Sequence, residues 1–95
     1  MTSKQRAYLK GLAMKIEPIF QVGKGSVSPE LVSAISDALE ARELIKLSVL
    51  NNCMDDLNEI AQMIAERTGS NVVQVIGKKI ILYKESKNKK KIVLP

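Results

Sequence analysis

The residues best suited to a chemical role lie in a short stretch between positions 22 and 28. Val22-Gly23-Lys24-Gly25-Ser26 follows an apolar run, and Ser28-Pro29-Glu30 then carries the signals of a helix start. Two glycines permit a tight turn with Lys24 at its tip, and the N-terminus of a helix presents N–H groups that suit a phosphate. Backbone amides beside one cation match a phosphodiester, so the pattern predicts nucleic-acid binding.

The same stretch fits neither of the common nucleotide-binding loops. The phosphate loop Gly-x-x-x-x-Gly-Lys-Ser/Thr is absent, and no hydroxyl residue directly follows Lys24. The dinucleotide fingerprint Gly-x-Gly-x-x-Gly fails as well, because Ser28 occupies the place of its third glycine. The residues still support a contact to the phosphate of a polynucleotide, against the competing interpretation of an ordinary strand-to-helix turn.

Side chains suited to catalysis are few. The sequence has no histidine, which is the commonest general base at neutral pH and the usual nitrogen ligand of zinc. Cys53 has no activating partner nearby in sequence and fits a small apolar role. Asp55 and Asp56 stand at a predicted helix start, where acidic side chains commonly complement the helix dipole. We therefore predict that the protein is not an enzyme and holds no metal or other cofactor.

The charges are segregated along the chain, whose net charge is +5. Residues 1–24 carry five cations and one carboxylate, residues 25–77 three cations and eight carboxylates, and residues 78–95 seven cations and one carboxylate. If both basic ends gather beside the turn, one face attracts polyanions while acidic helices cover another. Besides Lys24, the cations assigned to this predicted face are Lys4, Arg6, Lys10, Lys46, Lys78 and Lys79.

Hydrophobic periodicity predicts seven elements in an alternating order. Thr2 and Gln5 resemble a capping box, Pro29 suits the first position of a helix, and Gly77 suits a two-residue hairpin. The predicted elements are helix 3–14, strand 18–22, helix 29–42, strand 44–50, helix 57–68, strand 71–76 and strand 79–83. This order predicts an α/β fold of two to three layers, with a mixed four-stranded sheet between helices two and three on one side and the first helix on the other.

Length and composition predict one soluble domain. Ninety-five residues suffice for one modest core. We expect residues 1–84 to form the domain and residues 85–95 to form a basic, partly mobile arm, of which residues 92–95 are apolar enough to pack back. No secretory signal or membrane-spanning run is visible, and one cysteine cannot make an internal disulfide. A monomer in the cytoplasm is therefore expected.

Several stretches together are far more specific than the turn alone. They are residues 2–6 leading into 9–13, Val22-Gly23-Lys24-Gly25, residues 38–40 and 43–46, and residues 73–78 with 82–83. On these residues the chain resembles the single-domain YhbY-like proteins, bacterial members of the CRM family, which is named for chloroplast RNA splicing and ribosome maturation. The resemblance implies the same order of helices and strands, RNA binding, and association with the ribosomal RNA of large-subunit precursor particles.

The family's Gly-x-x-Gly loop aligns with Gly23, Lys24, Gly25 and Ser26, so that serine replaces the last glycine. If that position requires a positive φ, the serine costs roughly 1 kcal/mol unless Gly25 absorbs the turn one residue earlier. A similar loop in KH domains lies between helices, whereas a strand precedes it here, which disfavours that fold.

The expected mechanism is electrostatic. Amides of residues 25–28 and the ammonium group of Lys24 hold one or two phosphates, and the other assigned cations extend a track. With only 3% aromatic residues, structured RNA read by its shape is favoured over single strands stacked on aromatic rings. Two other interpretations stay open, a dimeric Alba-like protein that binds duplex DNA and a module that docks on ribosomal proteins through its acidic helices.

Overall fold

A computed structural model describes residues 1–53 and 55–95 and contains the predicted elements in the predicted order. The elements are α1 (Ser3–Ala13), β1 (Phe20–Val22), α2 (Pro29–Arg42), β2 (Leu44–Val49), α3 (Leu57–Thr68), β3 (Asn71–Ile76) and β4 (Lys79–Tyr83). The largest difference from the prediction is at β1, which begins two residues later than expected. Pro18 has no N–H to give to a sheet ladder, so regular pairing starts only beyond it.

The strand order, which the sequence left open, is β1-β2-β4-β3. β1 runs parallel to β2, with Phe20 opposite Leu47, while β4 runs antiparallel to both β2 and β3. The pairing of β3 with β4 shifts register between Val72 and Gln74, which is a β-bulge. The sheet is therefore mixed, as predicted, and the hairpin inserts β4 between β2 and β3.

The apolar core lies on both faces of this sheet, so the protein has three layers. α2 and α3 cover one face, where Ile35, Leu39, Ile60 and Ile64 pack against strand residues such as Leu47. On the other face, α1 contributes Leu9 and Ala13 to a smaller cluster with Leu44, Val73, Ile81 and Tyr83. The prediction that the first helix shields the second face is confirmed.

Local signals begin and end the helices where the sequence predicts. The side chains of Thr2 and Gln5 each accept a hydrogen bond from the backbone N–H of the other, both at 3.1 Å, so the capping box forms. Gly69 ends α3 at φ +68° and Gly77 makes the hairpin turn at φ +57°, both in the left-handed region that glycine tolerates. None of the helices within the described residues is long and apolar enough to span a membrane.

The C-terminal segment, residues 85–95, returns along the face that carries α1. Ile92 and Leu94 pack against the smaller cluster, and Nε2 of Gln5 donates a hydrogen bond of 3.3 Å to the carbonyl oxygen of Pro95. The apolar end of the chain thus packs back onto the domain. The division at residue 84 and the partial mobility of the segment stay predictions.

Candidate nucleic-acid interface

α1 covers only part of its face of the sheet. Side chains of a strand alternate between faces, so residues two positions apart in one strand, such as Leu44, Lys46 and Ser48 of β2, lie on the same side of the sheet. Beyond the cluster around Leu44 and Tyr83, this side presents exposed or half-buried polar and basic side chains, together with the exposed Ile76, which pairs with Lys79. We call the polar and basic part of this side the open sheet face, and it consists of Gln21, Lys46, Ser48, Gln74 and Lys79.

Two lysines stand close together on the open sheet face. Lys46 of β2 pairs with Ile81, and Ser48 pairs with Lys79. The two lysines are therefore diagonal neighbours on adjacent strands, with their Cβ atoms about 7 Å apart. Nζ of Lys79 lies 3.2 Å from Oγ of Ser48. Within residues 1–53 and 55–95, the carboxylate–cation pair closer than 4 Å is Glu85–Lys90, in the segment after β4. Both lysines therefore keep their charge available for an anion.

The turn predicted to hold a phosphate forms, but the residue with the strained backbone conformation is Ser26. The N–H of Ser26 donates a hydrogen bond of 2.9 Å to the carbonyl oxygen of Gly23, and Lys24 is exposed at the tip. Ser26 adopts φ +52°, whereas Gly25 is not in the positive-φ region. Gly25 thus does not absorb the turn, and the position of the family's second glycine does require a left-handed conformation.

We expect Ser26→Gly to raise the free energy of unfolding by about 1 kcal/mol, because glycine adopts a positive φ without steric cost. Urea denaturation measures the change. Gly25→Ala is the matched control, since a Cβ there meets no atom within 4 Å and φ is ordinary, and it should leave stability unchanged or slightly raised. A loss of stability in Ser26→Gly would contradict the assignment of strain to this residue.

The helix end beside the turn is largely occupied by its own cap. The hydroxyl of Ser28 accepts a hydrogen bond of 3.1 Å from the N–H of Leu31, Pro29 has no N–H, and the carboxylate of Glu30 stands in the first turn. Of the N–H groups that a helix start usually leaves unpaired, α2 keeps chiefly that of Glu30. The turn and its lysine, rather than the dipole of α2, are what this region offers to a phosphate.

Backbone hydrogen bonds bring the turn and the β3–β4 hairpin to the same end of the sheet. The N–H of Leu50 donates to the carbonyl oxygen of Val22, and the N–H of Val49 to that of Lys78, both at 2.8 Å. Since β2 alone separates β1 from β4, the strands that lead to Lys24 and to Lys78 lie about 10 Å apart. The open sheet face ends at this edge, so Lys79 adjoins the hairpin tip, and Lys46 stands about 10 Å further from the edge on the same face.

The three cations of α1 differ in position. Nη1 of Arg6 donates hydrogen bonds to the carbonyl oxygens of Val72 and Val73, the second at 3.0 Å, and so ties α1 to the bulge of β3. Lys10 is half-buried one turn further along the same flank. Lys4 is exposed and lies about 160° around the helix from Arg6. The fold thus brings Arg6 and Lys10 to the side of the sheet but leaves Lys4 on the outer surface.

The expectation that both basic ends gather beside the turn is wrong for the lysines beyond β4. The backbone of the C-terminal segment is held by Glu40 and Glu43, which stand just before β2, whereas the turn adjoins the end of β2. At about 3.3 Å per residue these two places are about 20 Å apart. Only Lys78 and Lys79 of the last basic block lie near the turn, because the hairpin carries them there.

Glu43 is the buried residue that holds the C-terminal segment. Its side chain is fully buried, and its carboxylate accepts hydrogen bonds from the N–H groups of Ser86, Lys91 and Ile92. Burial raises the pKa of Glu43, but these three hydrogen bonds and the nearby charge of Lys90 together bring it below its ordinary value. The ionised carboxylate therefore stabilises the folded segment.

Acid should release this segment. The pKa of Glu40 is also lowered, first by the hydrogen bond from the hydroxyl of Ser86 and then by the N–H of Lys87. A folded-state pKa below the ordinary value of about 4.3 means that the stabilisation is complete above that pH and lost as the pH falls through the folded-state value. We expect the amide signals of residues 86–92 to change as the pH falls below the ordinary glutamate value, before the core unfolds. NMR spectra recorded during an acid titration test this, and simultaneous loss of segment and core would contradict it.

Sequence reasoning missed the uncharged part of the open sheet face. Gln21, Ser48 and Gln74 were not predicted as site residues, although they lie on the same side of the sheet as Lys46 and Lys79. The alternation of polar and apolar residues within each strand was a signal, but joining the strands required their order. Among residues 1–53 and 55–95, no three His, Cys, Asp or Glu side chains lie together as they would around a metal ion.

These features define a small three-layer α/β domain with acidic helices on one face and a basic, partly open sheet on the other. The chain belongs to the CRS1/YhbY (CRM) domain family, whose model matches residues 1–84. It is 50% identical to "Probable RNA-binding protein YqeI" of Bacillus subtilis over 95 residues, which cover 100% of this chain and 99% of that protein. An "RNA-binding protein" of Haemophilus influenzae is 33% identical over 95 residues, covering 100% of this chain and 95% of that protein.

A solved structure has the same fold. The solution structure of a Staphylococcus aureus protein, described as a candidate RNA-binding protein, superposes with a TM-score of 0.84. The two sequences are 50% identical, and the match covers 100% of this chain and 99% of the other. The resemblance inferred from the sequence motifs is confirmed at the level of family and fold.

Proposed function

We propose that this protein binds RNA through the open sheet face and the Gly23–Ser26 turn. The observation that carries the proposal is a group of four lysines with no carboxylate within salt-bridge distance in the described residues. Lys24 and Lys78 stand at the two tips, Lys79 follows Lys78 at the start of β4, and Lys46 lies in the middle of β2 on the same face as Lys79. Relatives that match the chain over nearly its whole length carry RNA-binding names. A basic surface opposite acidic helices attracts a polyanion and orients it.

The lysines contact phosphates, and the fold reads the shape of the RNA. Of the three aromatic residues, Tyr83 is buried and Phe20 packs against the core, which leaves only Tyr8 substantially exposed. Stacking of several successive bases on aromatic rings therefore contributes little. A rigid sheet with fixed cations suits the backbone of structured RNA, where phosphate contacts set the register.

The RNA that we propose is ribosomal RNA of large-subunit precursors, bound in the pre-ribosomal particle during assembly. We also propose that the protein is a monomer in the cytoplasm, without catalytic activity or a cofactor. Crosslinking in growing cells, followed by sequencing of the attached RNA, tests the assignment through enrichment of large-subunit precursor sequences. Preferential recovery of duplex DNA would favour the Alba-like alternative, and nuclease-resistant association with ribosomal proteins alone would favour the docking module.

Affinity for RNA should depend steeply on salt. If about four to six phosphates are neutralised, the logarithm of the association constant falls against the logarithm of the salt concentration with a slope near −3 to −5. Fluorescence titrations of a structured RNA at several potassium chloride concentrations measure this slope. A slope near zero would contradict the proposed set of phosphate contacts.

Lys24→Glu should weaken RNA binding by about tenfold without unfolding the domain, because the side chain is exposed and the change reverses its charge. Arg67→Glu is the matched control, since it makes the same change in net charge on the exposed surface of α3. Affinities are compared at one fixed ionic strength, and circular dichroism checks the fold. Equal affinities for the two variants would refute a specific role of the turn.

A further inference from the structure

A groove with an apolar floor lies beside the open sheet face, at the edge formed by β1. Its volume is about 590 Å³, within the range of about 300–1,000 Å³ that is typical of sites for small organic groups. Leu12 of α1, Ile16 and Ile19 of the segment between α1 and β1, and Leu44 of β2 supply its apolar walls. Ile19 is 38% exposed, so part of this apolar surface is accessible to a ligand.

The rim of this groove is strongly basic. Lys15, Arg42, Lys46 and Lys91 line it, against the single carboxylate of Glu17. These cations come from four separate parts of the chain, which are the segment after α1, the end of α2, the middle of β2 and the C-terminal segment. An occupant must therefore combine negative charge at its edges with an apolar surface at its centre.

An unpaired nucleotide has this combination. Its base presents flat apolar faces, its flanking phosphates carry the negative charge, and a guanidinium group such as that of Arg42 can stack on a base or bind a phosphate. Lys46 lines the groove and also belongs to the open sheet face. RNA that follows the lysines of the open sheet face is thereby led to the groove without crossing an acidic surface.

We propose that the groove takes one unpaired nucleotide of the bound RNA, with the base against Ile16 and Ile19 and the adjacent phosphates against Lys15 and Arg42. This inference rests on the proposed RNA-binding function and adds a preference for RNA in which a helix is interrupted by an unpaired base. Structured RNA is then selected both by shape and by one extruded base.

Three short RNA hairpins test the inference, one with a single unpaired adenosine, one with an abasic residue at that position and one fully paired. We expect the wild-type protein to bind the first about 5- to 20-fold more tightly than the other two, because burying the apolar surface of the base against the isoleucines is favourable. Ile19→Ser should abolish this preference. Met63→Ser should retain it, because Met63 is 39% exposed, like Ile19, but lies on α3 at the opposite face.

NMR spectra of methyl-labelled protein locate the contact directly. The methyl signals of Ile16, Ile19 and Leu44 should shift with the adenosine hairpin and much less with the abasic one. Equal affinity for the three hairpins would overturn the groove assignment while leaving RNA binding itself intact, and absence of binding to all three would overturn the proposed function. If an acidic amphipathic peptide shifts these methyl signals and RNA does not, the groove is a protein-docking site and the inference is wrong.

Discussion

Glu43→Ala should lower the free energy of unfolding by about 3 kcal/mol or more, a large share of the total for a domain of this size. The carboxylate is fully buried and accepts hydrogen bonds from three backbone N–H groups of the C-terminal segment. Removing it leaves these donors without a partner, and hydrogen bonds to charged groups contribute about 1.5–3 kcal/mol each. Urea or thermal denaturation followed by circular dichroism measures the loss.

Two further variants separate the contribution of the Glu43 carboxylate to stability from that of the backbone conformation at this position. Glu43 follows α2 with φ +67° and ψ −41°, a conformation that L-residues rarely adopt. Glu43→Gly relieves this strain while losing the same hydrogen bonds, so it should be less destabilising than Glu43→Ala by about 1 kcal/mol. Glu85→Ala removes an exposed carboxylate paired with Lys90 and should cost less than about 0.5 kcal/mol. A Glu43→Ala variant as stable as Glu85→Ala would show that the segment does not depend on Glu43.

Reversing both lysines of the open sheet face, Lys46→Glu with Lys79→Glu, should weaken RNA binding by about 100-fold at moderate salt. The two ammonium groups stand on adjacent strands with no carboxylate within salt-bridge distance in the described residues, so the change replaces an attractive site by a repulsive one. The slope of affinity against salt should also become shallower, because at least two phosphate contacts are lost. Fluorescence titration with a structured RNA measures both quantities.

The control for the double variant changes the same charge elsewhere. Arg67→Glu on α3 combined with Lys89→Glu in the C-terminal segment gives the same net charge with both exposed sites away from the open sheet face. This control should retain affinity within about threefold. If the two double variants bind RNA equally weakly, net charge alone governs binding and the open sheet face is not the interface.

The order and ends of the elements were predictable because their causes are local. Caps such as Thr2 with Gln5, and glycines such as Gly69 and Gly77, act within a few residues of where they stand. The alternation that places Lys46 opposite the buried side of β2 is equally local, because it follows from the two-residue period of a strand. The sequence alone left open whether Ser26 or Gly25 carries the positive φ of the turn, and the angle of +52° shows that Ser26 does.

The assembly of the basic surface could not be predicted from local sequence patterns. Arg6 bonds to carbonyl groups 66 and 67 residues away, and Glu43 holds N–H groups 43 to 49 residues further along the chain. Such contacts follow from the strand order β1-β2-β4-β3, which no periodicity within a segment encodes. For this reason the C-terminal lysines are anchored at the other end of the sheet, although their charge alone had suggested that they lie beside the turn.

The linear pattern of this chain thus determines its helices, strands and caps, its fold class and the sign of its surface, because each depends on side chains that are neighbours along the backbone. Which cations meet, which carboxylate is buried and where a basic groove opens depend on packing between distant segments. Lys46 illustrates the division, since its exposure follows from alternation within β2, whereas its proximity to Lys79, Lys15 and Arg42 exists only once the sheet, two helices and the C-terminal segment have come together.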